Sequence, residues 1–257
     1  MALTESRAAA VTAHLLTSYR RTWLDSVFNS FLLPLCLLLG IGWSVGRHIG
    51  PHPSLGAPYF SFVGVGLLAA SVVQIGAAES AWAVFGGFEW SRIYHAVRLT
   101  PARPIDILAG HLTAVVARAT LGGLGFLLVI EAFGVGQRWT ALLAVPLFPL
   151  FAAAIAAPVM AFSATIRNAG MFDLLFRLGI VPMAMFSGVY FPLDSLPAVP
   201  RAAALAVPLT HAVDVSRTLL LGTGTAGGTL VHLLYLAGWA TAGLALARRA
   251  FIRRLAD

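Results

Sequence analysis

The stretch FSGVYFPLDSLPAVPRAAALAVPLTHAVDVSRTLLLG, residues 186–222, decides how this chain has to fold. An apolar run reaches Phe191, and the chain beyond it is divided into short pieces by Pro192, Pro197, Pro200 and Pro208. Each piece is too apolar for a solvated loop, yet the prolines interrupt any continuous helix. Broken helices are tolerated at membrane depth only where they line a cavity or pack on protein. We therefore predict a re-entrant hairpin over 192–222.

The composition is that of an integral membrane protein. Of the 257 residues, 59% are hydrophobic and 11% are charged, whereas about a quarter of the residues in a soluble domain are charged. The 17 basic residues are all arginine and outnumber the 10 acidic ones. Without lysine, the chain lacks the ammonium group with which a P-loop reaches the phosphates of ATP. The arginines are scattered between apolar runs, a pattern typical of membrane-flanking charges and not of nucleic-acid binding.

Six apolar runs are long enough to cross ~30 Å of hydrocarbon as helices. They predict spans over 27–46, 58–78, 105–133, 139–166, 170–191 and 228–247. We expect them to form one all-α membrane domain over 1–257. An even number of spans places both termini on one side, and most arginines outside the spans fall on that side. Because cytoplasmic loops retain basic residues, both termini are predicted to be cytoplasmic and the hairpin to face outward.

Residues 1–26 are predicted to form an amphipathic helix at the membrane interface. Apolar residues recur there at helical spacing from Val11 to Trp23. Trp23 would anchor the helix at the level of the lipid headgroups, and Arg20 and Arg21 would face anionic lipid. The alternative is a soluble amphipathic segment that packs on another protein.

A second amphipathic segment, FGGFEWSRIYHAVRLTPARPID, covers 85–106 between the second and third spans. A Gly86-Gly87 pair is predicted to separate it from the second span, and prolines separate it from the third. A helix is predicted over 88–100, because apolar and aromatic residues share one face there. Such a short helix is able to contact a cytoplasmic partner. The alternative is an ordinary interfacial loop helix.

Charged residues inside spans are costly and are functional candidates by default. Arg118 lies deepest and is expected to pair with an acidic residue on a neighbouring helix, or to bind a lipid phosphate or anionic cargo. Glu131 lies near the end of the third span, where it can reach the interface. Asp173 and Arg177 are four residues apart on the fifth span, in the order that favours a local ion pair.

The polar residues of the hairpin favour a structural role over chemistry. Thr210 is predicted to cap the helix that contains Asp214. His211 and Asp214 are too few ligands for a metal or an acid–base site, and no Gly-x-Ser-x-Gly or His-Glu-x-x-His motif occurs. Cys36 is the single cysteine, so no intrachain disulfide is expected. We predict no catalytic residue, metal or cofactor in this chain.

Two motifs carry a resemblance to a known family. The insert with RLTPARPIDILAGHL, and FSGVYFPLDSLP followed by PLTHAVDVSRTLLLG, resemble type-2 ABC exporter permeases, in the branch of lipooligosaccharide (nodulation-factor) and daunorubicin-type drug exporters. The six-span layout extends the resemblance over nearly the whole chain. It implies a non-catalytic subunit of the bacterial cytoplasmic membrane that pairs with a second copy or a paralogous permease. A separate subunit would bind ATP and Mg and drive export of an amphiphilic, lipid-linked or drug-like cargo.

The resemblance also implies roles for individual segments. The insert would be a coupling helix docked on the ATPase subunit through Glu89, Trp90, Arg92, Tyr94 and Arg98. Thr12 to Asp25 would match the N-terminal interface helix of the family. The outer helices would form an external gate, with candidate residues Phe191, Pro192, Leu196, Pro197, Pro208 and His211. Two other functions are considered: an ion-coupled secondary carrier that uses Arg118 and Glu131, and a membrane scaffold or enzyme without transport activity.

Overall fold

The computed structural model describes residues 9, 12–13, 32, 34–48, 55–98, 103–135 and 139–256. Within these residues the chain consists of helices joined by turns, without a strand. The predicted interface helix lies almost wholly outside the described residues, together with its Arg20, Arg21 and Trp23. The side chain of Arg98 is also outside the described part.

The helices are, in chain order, α1 (Pro34–Gly46), α2 (Tyr59–Glu89), α3 (Ile93–Arg98), α4 (Pro104–Ala132), α5 (Trp139–Thr165), α6 (171–186), α7 (Ala198–Leu205), α8 (Pro208–Leu221) and α9 (Ala226–Ala256). Three of them change their winding. α1 contains a π-helical stretch over Leu38–Trp43, α5 begins as a 3-10 helix over Trp139–Leu147, and α6 is π-helical over Phe176–Ile180. A 3-10 turn over Leu193–Ser195 precedes α7.

Four helices are long and apolar enough to cross a membrane: α2, α4, α5 and α9. The pair α7 and α8 passes the same test together but is bent by 81°, the geometry of a broken span or a re-entrant loop. The described residues therefore contain four or five candidate spans, whereas the sequence predicted six. For the predicted first span, only α1 and Leu32 are described. α6 reaches roughly 24 Å at 1.5 Å per residue, less than the hydrocarbon thickness.

The fifth predicted span, 170–191, ends as a helix at Phe186. The last turn is closed by the N–H of Ser187, which donates to the carbonyl of Met183 at 3.1 Å. Gly188 then adopts a φ of +79°, a left-handed conformation that glycine accepts because it lacks a Cβ. The chain leaves the helix axis there and enters the hairpin.

α2 is the central helix of the bundle and packs against α4, α5 and α8. Of its apolar window, 78% is buried, whereas the corresponding share of α9 is 17%. α9 packs mainly on α5 and leaves much of its apolar surface facing outward. We expect an apolar helix that is exposed in this way to face lipid in a multi-pass membrane protein.

The start of the hairpin lies directly on the backbone of α2. A Cβ added to Gly66 would lie 2.7 Å from the carbonyl oxygen of Val189. Nearby, the Tyr59 hydroxyl donates a hydrogen bond to the carbonyl of Tyr190 at 3.1 Å. Glycine is therefore required at position 66 for close approach of two backbones.

We expect Gly66→Ala to lower the thermal midpoint of the detergent-solubilised protein. The new methyl group would meet the backbone of Val189, and overpacking of this kind costs about 1–3 kcal/mol. Gly238→Ala on α9 is the matched control, because nothing lies within 4 Å of a Cβ there and alanine is the better helix former. Equal midpoints for the two variants would contradict the close contact.

Candidate functional site

The insert between α2 and α4 is attached to the bundle more closely than the sequence suggested. α2 continues through Gly86-Gly87 and ends at Glu89, so the predicted break at these glycines is wrong. Side chains there would collide with aromatic rings, that of Trp90 at Gly86 and that of Tyr94 at Gly87. The glycines make room for ring packing, and the insert helix α3 begins at Ile93 and not at the predicted residue 88.

The turn from α2 to α3 places Trp90 and Arg92 on the surface. The N–H groups of Trp90 and Ser91 both donate to the carbonyl of Gly86, at 3.1 and 2.9 Å. Arg92 has a φ of +49°, which costs a residue with a Cβ about 1–2 kcal/mol. Its side chain is exposed and has no ion-pair partner among the described residues. Trp90 is 64% exposed, although its ring contacts Phe85.

Tyr94 faces the interior of the protein. It is 3% exposed, and its hydroxyl lies 3.0 Å from Nδ1 of His111 on α4, forming a hydrogen bond. The rings of Phe88 and Phe251 lie 4.8 and 5.9 Å from its ring. Burial raises the pKa of Tyr94, so the group remains a neutral hydroxyl. The prediction that Tyr94 packs against a partner subunit is therefore corrected, because its ring anchors α3 to α4 and α9.

Glu89 also holds the insert in place. Its carboxylate forms an ion pair with Arg254 near the end of α9. Arg254 donates further hydrogen bonds to the carbonyls of Ile166 and Ala164, at 2.8 and 3.3 Å. The Glu89 side chain retains 36% exposure. This pair ties the end of α2 to the ends of α5 and α9, and it leaves Trp90 and Arg92 as the more exposed coupling candidates with described side chains.

Trp82 is a surface residue of this site that sequence reasoning missed. It is 41% exposed, and its ring stacks near that of Trp90, with 6.3 Å between ring centroids. Trp82 and Trp90 are eight residues apart along α2 and its cap, a spacing that returns to the same helix face. That spacing was the available signal. We call the exposed side chains of Trp82, Trp90 and Arg92 the insert surface.

The hairpin is held to α2 by a buried arginine. Arg217 on α8 is 8% exposed, and its guanidinium carbon lies 3.5 Å from the ring centroid of Phe62. Its Nη2 donates to the carbonyl of Gly188 at 2.5 Å and is 3.5 Å from that of Phe62. In the distribution of arginines along the sequence, Arg217 falls outside the predicted spans and on the outer side. Its spacing of four and eight residues from buried Val213 and Leu209 was the signal for an inward position.

Thr210 has a different role from the predicted cap. α8 begins at Pro208 with Val207 as its N-cap, and Thr210 lies inside the first turn. The Thr210 hydroxyl donates to the carbonyl of Ala204 at 2.5 Å. It therefore joins α7 to α8 across the bend. The prediction that it caps the helix of Asp214 is wrong.

His211 belongs to a polar cluster between α8 and α9. Its Nδ1 lies 2.7 Å from Nδ1 of His232, and its Nε2 lies 3.0 Å from the carbonyl oxygen of Leu205. The ring of Tyr235 stacks on it at 3.9 Å, and Asp214 lies 3.9 Å from Nε2 of His232. No group of three metal-ligating side chains is arranged around a common point in the described part of the chain. The cluster ties the hairpin to α9.

The other gate candidates are distributed along the start and the bend of the hairpin. Phe191 packs edge-on against Phe186, with 6.5 Å between ring centroids. The remaining candidates mark helix boundaries. Pro192 and Leu196 flank the 3-10 turn, Pro197 is the N-cap of α7, and Pro208 is the buried first residue of α8. Together they set where each helix starts.

The charged residues of the spans follow three patterns. Arg118 on α4 forms an ion pair with Glu79 on α2, and both side chains are largely buried. Glu131 is half-buried near the end of α4.

Asp173 and Arg177 are exposed and are not joined by an ion pair in the described structure. α6 becomes π-helical at Phe176, so residues four apart no longer lie above each other and the predicted local pair does not form.

A model of the family described as "ABC-2 type transporter" matches residues 9–221. The chain belongs to the ABC-2 type transporter family. Nodulation protein J of Rhizobium leguminosarum bv. trifolii is 31% identical over 205 residues, covering 80% of this chain and 78% of that protein. Nodulation protein J of R. leguminosarum bv. viciae is 29% identical over 240 residues, covering 92% of each chain. Nodulation protein J of Rhizobium meliloti is 28% identical over 216 residues, covering 84% of this chain and 80% of that protein.

The family match includes both the insert and the hairpin and ends with α8. This ABC-2 permease is therefore a membrane subunit of an ABC transporter, a component that is in general not catalytic. α9 lies beyond the matched residues, and the ion pair of Glu89 with Arg254 connects it to the insert.

We expect Arg217→Lys to loosen the hairpin of this ABC-2 permease. Lysine keeps the charge but loses the planar fork that contacts Phe62 and the carbonyl of Gly188. The loss of a buried hydrogen bond costs about 1–3 kcal/mol, so chymotrypsin should cleave faster within 186–222. Arg201→Lys is the control, because Arg201 forms an exposed pair with Asp194 and such pairs contribute about 0–1 kcal/mol. Equal cleavage rates in the two variants would exclude the anchoring role of Arg217.

Proposed function

We propose that this chain is the non-catalytic transmembrane subunit of an exporter that is driven by ATP hydrolysis in a separate nucleotide-binding subunit. The observation that carries the proposal is the insert surface, which is exposed while Glu89 and Tyr94 beside it are fixed to the bundle. Tyr94 and Glu89 hold α3 and the end of α2 through His111 and Arg254. A partner that pushes on Trp90 or Arg92 therefore moves the helices and not a loose loop.

The path from the insert to the hairpin runs along α2. This helix has 31 residues and is about 45 Å long at 1.5 Å per residue. Its first two turns contact the hairpin through Tyr59, Phe62 and Gly66, and its last residue is Glu89. A rigid helix that contacts the ATPase subunit near one end and the hairpin near the other transmits a small shift from the ATPase subunit to the hairpin. The hairpin would then open outward when ATP bound to the partner subunits brings them together.

The proposed cargo is amphiphilic, lipid-linked or drug-like, and the proposed direction is outward across a bacterial cytoplasmic membrane. The resemblance to lipooligosaccharide and drug exporters supports this class of cargo. Both termini would be cytoplasmic, as the distribution of arginines predicts. ATP and Mg would be bound by the partner subunit, and this chain would contribute the route and the gate.

We also propose that α6 faces a second copy of the chain or a paralogous permease. Five large apolar side chains are exposed on the surface of α6: Met171, Leu174, Leu178, Val181 and Met185. The same short helix exposes Asp173 and Arg177, which are costly against hydrocarbon. A protein partner would cover these apolar side chains and provide polar neighbours for Asp173 and Arg177. The cargo route would then lie between the two subunits.

We expect Trp90→Ala and Arg92→Gly to weaken binding of the ATPase subunit. Truncation of a central aromatic residue at an interface costs about 2 kcal/mol or more, roughly 30-fold in affinity. Glycine at position 92 removes the side chain and relieves the strained φ of +49°, so the fold is retained. Trp139→Ala is the control, since Trp139 is 76% exposed and lies at the opposite end of the bundle. Co-purification in mild detergent and ATP-dependent export by reconstituted vesicles measure the effect.

Two results would overturn the proposed function. The first is unchanged ATPase binding and export in both insert variants, with thermal midpoints equal to that of the unmodified chain. The second is cargo movement by the purified chain alone, driven by a proton or sodium gradient without ATP. The second result would instead establish an ion-coupled carrier.

We expect cysteines placed on α6 to cross-link between two permease subunits. In a Cys36→Ser background, Leu178→Cys should form a covalent dimer with a short bis-maleimide in native membranes. Val231→Cys is the control, because Val231 is similarly exposed, at 63% against 71% for Leu178, but lies on α9. Mass spectrometry of the product separates a homodimer from a pair with a paralogue. Absence of any α6 cross-link, or equal cross-linking at Val231, would exclude α6 as the dimer face.

A further inference from the structure

A groove of about 590 Å³ lies between the last turns of α5 and α9. Its floor is apolar and includes Pro158, Phe162 and Leu246. Its rim is basic, and the arginines that line it are Arg167, Arg249, Arg253 and Arg254. None of the lining residues is acidic. We call this feature the α5–α9 groove.

The groove runs from the interior of the bundle toward the ends of the two helices. α5 and α9 approach each other closely where Gly243 meets Pro158, since a side chain at Gly243 would collide with the proline ring. One end of the groove therefore lies among span residues. The other end is marked by Arg254, which binds the carbonyls that follow α5. The distance from Leu246 to Arg253 along α9 is about 10 Å at 1.5 Å per residue.

Two of the rim arginines are available to a ligand. Arg254 is committed to Glu89 and to the carbonyl of Ile166. Arg249 and Arg253 are both exposed and have no ion-pair partner within the described part of the chain. They are four residues apart on one helix and thus lie on the same face. The distribution of arginines predicts that this end of the bundle is cytoplasmic.

We infer that the α5–α9 groove binds an anionic phospholipid of the surrounding bilayer. The phosphate would bind Arg249 and Arg253, whose guanidinium groups match phosphate oxygens in pairs. An acyl chain would lie along the apolar floor toward Pro158. Basic pockets between membrane helices on the cytoplasmic side bind anionic headgroups by this combination of charge and depth.

The floor of the groove favours lipid over a protein partner. Leu246 is 54% exposed and continues the lipid-facing surface of α9. A water-soluble ATPase subunit is able to bring carboxylates to Arg249 and Arg253, but it would leave the apolar floor uncovered. A phospholipid covers both parts at once. The bound lipid would also brace α5 against α9 beside the ion pair of Arg254 with Glu89, so it would support the insert whatever the cargo is.

The test compares lipid binding by single arginine variants with a neighbouring control. The purified permease is titrated with phosphatidylglycerol or phosphatidylcholine, and bound lipid is counted by native mass spectrometry. Arg249→Gln and Arg253→Gln are each expected to weaken phosphatidylglycerol binding about fivefold, and the double variant about 30-fold. Arg248→Gln removes the same charge from the same helix but does not line the groove; it should change binding less than twofold. Equal losses in all three single variants would overturn the proposal.

A second pair of variants tests the apolar floor. Leu246→Gln should weaken phosphatidylglycerol binding several-fold, whereas Leu244→Gln, at an exposed leucine outside the groove, should leave it unchanged. Inorganic phosphate at matched ionic strength should compete poorly with phosphatidylglycerol, because it has no acyl chain to contact the apolar floor of the groove. Efficient competition by phosphate, with no effect of Leu246→Gln, would show a free-anion site and overturn the lipid assignment. If the arginine variants lost ATPase co-purification and kept unchanged lipid binding, the rim would be a contact for the ATPase, and the lipid assignment would also be overturned.

Discussion

The contact of the Arg217 guanidinium with the hairpin backbone is the interaction on which the outer half of the molecule depends. In a membrane, a chain that leaves its helix must still satisfy its carbonyl groups within the protein. The chain leaves α6 at Ser187, and the carbonyl of Gly188 receives a hydrogen bond from Arg217 at 2.5 Å. The same guanidinium rests on the ring of Phe62. One side chain therefore connects α8, the start of the hairpin and α2.

α2 connects the Arg217 anchor to the insert at the other end of the molecule. Its start holds the hairpin, with the backbone of Val189 close to Gly66, and its end holds the insert through Glu89 and Arg254. Between them, Glu79 pairs with Arg118 of α4 and fixes the helix against its neighbour. These contacts make α2 a rigid connection between the two surfaces that the resemblance identified separately. In the proposed function, this connection links the insert to the hairpin, and Trp90 and Arg92 are the residues proposed to contact the ATPase subunit directly.

Several polar residues that looked like candidates for contact with partners or cargo are used inside the chain. Tyr94 binds His111, Glu89 binds Arg254, and Arg118 binds Glu79. Buried polar groups need such partners, because leaving one unpaired costs about 1–3 kcal/mol. Arg92, Arg249 and Arg253 remain exposed without an ion-pair partner in the described residues, and they lie at the end of the bundle predicted to be cytoplasmic. The ATPase contact and the lipid site proposed here both use these arginines.

The sequence by itself determined that this is a helical membrane protein with an insert near Trp90 and a broken hairpin after Phe191. Those features are local, since hydropathy over about 20 residues and the position of prolines are enough to define them. Only the tertiary structure decided what Gly86-Gly87 does, where α6 ends and which way Tyr94 and Arg217 point. Glycine is compatible with a break and with a close contact, and the rings of Trp90 and Tyr94 reach these glycines only because the chain turns back after Glu89. Likewise, Glu89 lies 165 residues from Arg254, and Gly188 and Phe62 lie 29 and 155 residues from Arg217, so no local pattern could reveal these partners.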